Sequence, residues 1–495
     1  MDTNIGSFDW LIFIVYIVIV LGIGFWFSRF QTTNEDYFLG GRKMNWIAVG
    51  TSIFATAFSS ISFVMLPREG AYADYHLLTA ILFIPFVITP ILWYLFVPLF
   101  LRLKITSVYE YLGIRYNNSI RKLGTLLFGA YAIGWMGSML YAVGIIIQAT
   151  LGLSHDQFLW VLVGIGIFAT FYTVLGGYEA VVWTDLLQSV TLGGGMLIVL
   201  IIVVNMVSGD FFAILEFGRD HDKLQMANMQ FELTERSSFW AAAGFGLFMY
   251  LPGYTASQIT VQRYLSLENL DQARRSLLIN AAIAPVVSLI FFLVGTALFV
   301  FYSQQGGFPD IPNQDQLLPY FLAAEMPVAG LTGLLMAGLF AAGMSTIDSG
   351  INSMTAVIVK DWLPERDKKP GVGISRIITI VLGLLIVITS LLVPYIGEHV
   401  IDMISKIAGT FLGLLLGIYL LGMFTRRANA GGALIGLAAG GLSLAIVWTQ
   451  TEVPHWYYGL FTIGVTLVAG WIASRYFQYP AIEQLEGYFY NSKAL

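Results

Sequence analysis

The stretch FAAGMSTIDSGINS, Phe340–Ser353, lies inside a long apolar run. It sets Ser345, Thr346, Asp348, Ser349, Asn352 and Ser353 within nine positions. A carboxylate inside a lipid-spanning helix is unfavourable by at least a few kcal/mol, so it needs a partner or a task. On a helix, residues 345, 348, 349 and 352 share one face. Ala341, Ser345, Ser349 and Ser353 also form a ridge of small residues at i+4 spacing. Close helix packing accounts for such a ridge, and hydroxyls can bond back to the preceding turn. Neither accounts for Asp348. Oxygen donors on small side chains suit a hard cation, because they let backbone carbonyls approach it as well.

The surroundings decide the class. The 495 residues are 57% hydrophobic and 11% charged, and the mean hydropathy is +0.76. Soluble domains carry about 25% charged residues, so the chain reads as an all-α integral membrane protein. With no cysteine it has no disulfide or thiol chemistry. The start, MDTNIGSFDW, lacks a basic segment and reads as leading into a spanning helix, not a cleaved signal. No GxxxxGK[ST] phosphate loop is present, so no ATP motor is expected. Gly193–Gly195 lies inside a span and reads as close helix packing.

Spans need about 20 apolar residues, and about thirteen stretches qualify. They are Trp10–Phe27, Asn45–Leu66, Leu77–Leu101, Leu123–Ile147, Phe158–Leu175, Val181–Val207, Phe239–Tyr254, Leu277–Tyr302, Val328–Val357, Ile374–Val393, Val400–Phe424, Ala433–Thr449 and Tyr457–Phe477. With the N-terminus outside, twenty of the 25 Lys and Arg fall in cytoplasmic segments, including the run Glu365–Lys369. That bias predicts a multi-pass protein of the cell (inner) membrane, N-terminus out and C-terminus in. The five histidines all fall on the outer side and read as scattered surface residues. Two outer loops are long. Gly209–Ser237 carries an amphipathic FFAILEF, and Ser303–Phe321 reads as a lid or a connector.

Other intramembrane polar groups stand out. TSIFATAFSSIS, Thr51–Ser62, has six hydroxyl residues in twelve. It reads as an unwound segment offering bare carbonyls, or as a helix with self-satisfied hydroxyls. Pro252-Gly253 is expected to break the seventh span, five spans later, as in a 5+5 inverted repeat. Asp185, in Trp183-Thr184-Asp185, is either an ordinary helix-start acid or a group reaching the 345–349 face. Lys406 stands one turn after Asp402, where it either pairs with that acid or faces a pocket and attracts an anion.

Several segments resemble the sodium/solute symporter family. They are NEDYFLGGR (Asn34–Arg42), LKITSVYEYLGIRY (Leu103–Tyr116), GGYEAVVWTDLLQ (Gly176–Gln188), TASQITVQRYLS (Thr255–Ser266), MSTIDSGINS (Met344–Ser353) and LLGMFTRRANAGGALIG (Leu420–Gly436). The resemblance covers about Asp9–Phe477 and extends to the sialate and galactose branches. It implies one membrane domain over residues 1–495. Within it lie an extra helix at 10–28 and a leucine-transporter-like core at 45–254 and 255–425. Two further helices at 430–477 and a tail at 478–495 follow.

The resemblance also implies sodium as the coupling ion. Its main site would use the carbonyls of Ala55, Phe58 and Ala342 with the hydroxyls of Ser345 and Thr346. A second site would use Asp185, Ser345, Asp348 and Ser349, taking a second sodium or a shared proton. Asp348 departs here from the family's Ser or Thr. Substrate positions carried over are Ala57, Ser59, Ser60, Ser62, Leu82, Trp135, Tyr250, Tyr254 and Ser405, with Lys406 added from its own spacing. Trp135 replaces the arginine that grips sialate, and Leu82 replaces a glutamine. The sugar transporters' amides are replaced by Ala57, Tyr250 and Ser405. The expected activity is sodium-coupled import of a small polar solute, with a sugar or polyol favoured. The alternatives are a small organic anion, or sodium plus proton coupling. Sodium, solute and membrane lipid are the expected partners, with no nucleic acid or obligate protein. A channel lacks support because no repeated filter is seen, an enzyme because no catalytic constellation is seen, and a sensor because Gln478–Leu495 is short.

Overall fold

A computed structural model describes residues 6–27, 38–58, 60–175, 178–231, 238–363, 372–395 and 400–485. Ser59, the motif residues Asn34–Tyr37, Gly176 and Gly177, the run Glu365–Lys369, His399 and the tail beyond 485 lie outside them, as does the side chain of Asp402.

Lipid offers no hydrogen bonds, so a spanning backbone must satisfy itself, and helices do so locally. The described chain is helical at each apolar stretch. The helices are α1 Ser7–Phe27, α2 Trp46–Ala57, α3 Ser60–Tyr72, α4 His76–Leu103, α5 Asn118–Leu151, α6 His155–Leu175, α7 Tyr178–Met206, α8 at 239–255, α9 Leu270–Gln304, α10 Leu331–Trp362, α11 Val372–Leu392, α12 Val400–Phe424, α13 Ala430–Gln450 and α14 Tyr458–Ala473. Among the described residues, ten helices are long and apolar enough to cross a membrane. The bent pair α2 and α3 counts as an eleventh.

Asparagines start several of these helices by accepting from exposed first-turn amides. Asn45 caps α2, Asn117 caps α5, Asn269 caps α9 and Asn429 caps α13. Prolines shape two others. Pro lacks an N–H, and a wide π-turn relieves the carbonyl that would have used it. In α4, π-turns cover Ile84–Ile88 and Leu92–Phe96, around Pro85, Pro90 and Pro98.

The expected break at Pro252-Gly253 is corrected by the same device. A π-turn at Gly246–Tyr250 precedes Pro252, and the helix runs on through Gly253 to Thr255. The chain leaves it at Ala256 and the extended Ser257, then resumes as a short helix, Gln258–Leu265. The break in the second span is real. α2 ends at Ala57, Phe58 is non-helical (φ −101°, ψ 77°), and α3 departs at 61°.

α10 forms the centre, with 89% of its most apolar window buried against 17% for α1. It packs on α1, α5 and α7, while α9 packs on α2 and α3. Glycines permit the closest approaches. A Cβ on Gly70 would strike the Phe292 carbonyl, and one on Gly295 would strike the Pro67 carbonyl. Gly195 meets Leu335 of α10, as packing glycines should. The loop Ser303–Phe321 is fastened to the end of α3. Phe308 stacks on Tyr72 at 4.2 Å, and Arg68 bonds Gln314 at 3.3 Å with Asp315 3.8 Å away. In the other long loop, FFAILEF forms the helix Phe211–Asp220, with Ile214 buried and Phe212 exposed.

At the opposite face, Arg115 is fully buried and closes the end of α12. It donates to the carbonyls of Gly422 (2.9 Å), Thr425 (2.8 Å) and Ala428 (2.9 Å). Arg115→Ala leaves three buried acceptors bare and should lower stability by roughly 3 kcal/mol or more. Arg115→Lys should recover only part, because an ammonium cannot reproduce the planar fork. Thermal unfolding of purified protein in detergent checks both.

Candidate functional site

The site grows from the end of α2. A helix leaves its last carbonyls without intrahelical donors, and its dipole turns negative there. Ala55, Phe58 and Ala342 line one small cavity of about 10 Å³, together with Gln188, Ser189 and Gly193 of α7. Ser345 and Thr346 follow Ala342 by one turn on α10. Thr346 Oγ1 donates to the Ala342 carbonyl at 2.9 Å, and Ser345 Oγ donates to Asp185 Oδ1. Both hydroxyl protons are thus committed, and the oxygens keep their lone pairs for an electropositive guest. Such neutral oxygens suit a hard monovalent cation.

Asp185 is a hub. It is buried on α7 and holds Ser345 on Oδ1. Its Oδ2 accepts from Ser52 of α2 at 2.5 Å and from Arg263 Nη2 at 3.2 Å. Arg263, on the helix Gln258–Leu265, is 1% exposed. Its Nε donates to Ser52 at 2.8 Å, Nη1 to the Ile259 carbonyl at 2.6 Å, and Nη2 also to Ser349 at 3.0 Å. A buried carboxylate is tolerable when paired and hydrogen-bonded, and this one has three partners.

Sequence reasoning missed Arg263 as a site residue. It stands in the matched segment TASQITVQRYLS, yet was counted with the cytoplasmic charge. The signal was a cation next to Gln262 in a stretch with few other charges. Gln262 also faces the opening stretch, accepting from Ser353 at 2.6 Å. The hydroxyls of Thr51 and Thr56 bond back to Ile47 and Ser52, whereas Ser52 itself reaches across to Asp185.

Asp348 is also buried, and its Oδ2 has no hydrogen-bond partner among the described residues. Thr173, Asp185 and Arg263 are the polar groups that act on it. One turn on, Asn352 Oδ1 is likewise buried without a partner there.

A larger cavity, of about 100 Å³, opens beside the α2–α3 break. Ala57, Ser62, Trp135, Tyr250 and Tyr254 line it, from the positions carried over in the sequence reading. Tyr131, Phe245, Ser257, Thr260 and Ser288 join them. Tyr131 and Trp135 lie 5.8 Å apart between ring centroids. The Tyr254 hydroxyl is held by Asn280 of α9, at 3.2 Å to Oδ1 and 3.0 Å to Nδ2. No charged side chain lines the cavity among the described residues.

Three carried-over positions, Ser60, Leu82 and Ser405, lie off this lining, as does Lys406. Ser60 turns toward Met139 of α5 (4.0 Å to its sulfur). Leu82 is flanked by Ile81 and Ile84, which do line the cavity. On α12, Ile404 and Ala408 face it, leaving Ser405 and Lys406 on other sides of the helix.

This geometry has known counterparts. A sequence profile of the sodium:solute symporter family matches residues 37–440. The sodium/sialic acid symporter NanT of Aliivibrio fischeri is 32% identical, over 96% of this chain and 94% of that protein. The human sodium/iodide cotransporter is 31% identical, over 91% of this chain and 71% of that protein. Among solved structures, a Na+-coupled sialic acid symporter in a substrate-bound outward-open state superposes with a TM-score of 0.87. It is 29% identical, covering 96% of this chain and 99% of that one. The transporter Mhp1, 11% identical with a TM-score of 0.51, shares the fold. The chain belongs to the sodium:solute symporter family.

Proposed function

We propose that this protein imports a small, uncharged, ring-bearing polar solute, a sugar or polyol, with sodium, by alternating access. The observation that carries the ion part is the shared small cavity of Ala55, Phe58 and Ala342, with Thr346 bonded to the Ala342 carbonyl and Ser345 to Asp185 one turn along α10, outside the cavity lining. An ion bound there bridges α2 and α10. Binding to one arrangement of those helices more tightly than to another is all that coupling requires. Sodium from outside holds the substrate-receiving state, and it leaves inward when the bridge loosens.

The solute part rests on the larger cavity. Its rings offer faces to stack on, and its hydroxyls offer donors and acceptors. The absence of a charged lining residue among the described residues favours a neutral solute. Thirteen spans with an extra first helix, a 5+5 repeat core and two closing helices form the accompanying arrangement. The protein sits in the cell (inner) membrane with its N-terminus outside. It acts as a transporter, without catalysis and without an obligate protein partner.

The second reading is a small organic anion. The names of relatives support it, since they include sialic acid symporters and a human sodium-coupled monocarboxylate transporter. A thermal-shift screen in sodium against potassium, across sugars, polyols, monocarboxylates, sugar acids and amino acids, separates the readings. Uptake into proteoliposomes then tests each hit. Stabilisation by neutral solutes alone supports the first reading, and stabilisation by carboxylates alone overturns it.

Ser345→Ala and Thr346→Ala should each weaken sodium binding by about tenfold, the scale of one lost ligand bond. Sodium titration of thermal stability without solute measures this. Trp135→Ala should leave that titration unchanged while weakening solute binding by about tenfold, read by solute titration at saturating sodium.

A second coupling ion, sodium or proton, is proposed at Asp185, Ser345, Asp348 and Ser349. Arg263 already neutralises Asp185, so Asp348 is the group left to respond. Asp348→Ser should change the pH dependence of uptake and the sodium Hill slope. If both stay as in the wild type, coupling runs through the main site alone.

A further inference from the structure

α1 lies before the broken helix that builds the ion cavity, and it contributes nothing to either cavity lining. Its inward stripe nevertheless follows the two helices that carry the ion-site side chains. Residues 9, 13, 16, 20 and 27 recur at spacings of three, four or seven, which keeps them on one face.

At one end, Asp9 is buried, and its Oδ1 accepts from Gly330 N at 2.9 Å and Gly333 N at 3.0 Å. These amides belong to the first turn of α10. The residue at the α10 N-cap is Gly330, at φ +88°, which has no side chain to cap with. A neighbouring helix therefore supplies the capping oxygen and a negative charge at the positive end of the α10 dipole. Gly333 has no room for a Cβ, because the Asp9 backbone fills that space.

In the middle, Tyr16 and Val20 pack on Ala337 and Ala341 of α10 and on Leu187 of α7. Ala341 precedes the cavity residue Ala342, and Leu187 follows Asp185 by two. At the far end, Phe27 stacks on Trp183, two residues before Asp185, with centroids 6.3 Å apart and rings 4° from parallel. Along α10 these contacts precede the ion-site residues, and along α7 they lie on both sides of Asp185.

We propose that α1 is a clasp that fixes α10 against α7, and that Asp9 is a positioning residue for sodium binding. The clasp rests on the sodium reading above. Asp9 touches no ion. It sets the height and tilt of α10, and so where the Ala342 carbonyl and the Ser345 and Thr346 hydroxyls stand. Removing the cap lets the first turn of α10 fray and the helix drift, and ligands spread over two helices lose register.

The test is sodium titration of thermal stability at constant ionic strength, with potassium as the balancing salt, on full-length protein in detergent. Asp9→Ala should raise the sodium concentration of half-maximal stabilisation by about threefold or more. Asp9→Asn keeps an acceptor oxygen and should stay within about twofold of the wild type. Phe27→Leu, which loses the stack and keeps the cap, should move the midpoint upward. It decides the matter if Asp9→Ala does not fold. Melting in potassium alone reports general destabilisation separately. A wild type without sodium response overturns the sodium reading and the clasp with it. A responsive wild type with an unchanged midpoint in folded Asp9→Ala, or in Phe27→Leu if that variant stands in for it, overturns the clasp alone.

Discussion

The buried pair of Asp185 and Arg263 is the constraint around which the centre is arranged. A carboxylate and a guanidinium at 3.2 Å, both almost fully buried, are stable only while every remaining donor and acceptor finds a partner. Ser52, Ser345, Ser349 and the Ile259 carbonyl are those partners. They come from α2, α10 and the helix Gln258–Leu265. Removing either charge would strand the other, at a loss of about 3–5 kcal/mol. The pair therefore fastens four helical segments at one point, immediately beside the gap where α2 loses its regular hydrogen bonding.

That adjacency joins rigidity to openness. The non-helical Phe58 after Ala57 faces two cavities and not lipid, as non-helical backbone inside a membrane must. The hub keeps α2, α7 and α10 in register on one side. On the other, the larger cavity is walled by rings whose packing is looser in its demands. At the end of α3, Phe308 on Tyr72 and Gln314 on Arg68 fasten the loop over the same broken helix. A single bent helix thus touches the small cavity, the larger cavity and the loop 303–321.

Much of this was legible in the residues. The apolar runs mark where helices form, since only hydropathy decides that in lipid. The hydroxyl density of Thr51–Ser62 marks the break, and the family segments bring Asp185 to the 345–349 face. What escaped depends on through-space geometry. Arg263 lies 78 residues from Asp185, so its partner cannot be read from the local sequence. Pro252-Gly253 resembles a helix break, but the preceding π-turn absorbs the missing donor. Ser60, Leu82 and Ser405 lie off the cavity wall, which neighbours on the same helices form instead: Ile61 and Ser62, Ile81 and Ile84, Ile404 and Ala408. A position carried over by alignment does not record which neighbour lines the wall. Asp9 looks like any helix-start acid until Gly330 is seen across from it.

The smallness of the gap at Ala55, Phe58 and Ala342 has a further consequence. About 10 Å³ holds roughly one water-sized particle. On the sodium reading, an ion seated there arrives stripped of its hydration shell, and protein oxygens must replace every water it sheds. Discrimination by radius then lies in how closely the α2 and α10 backbones approach. Ala55 and Ala342 line the gap, and no charged side chain does so among the described residues. Ion choice in this protein becomes a property of main-chain distance, which a single added methylene could retune.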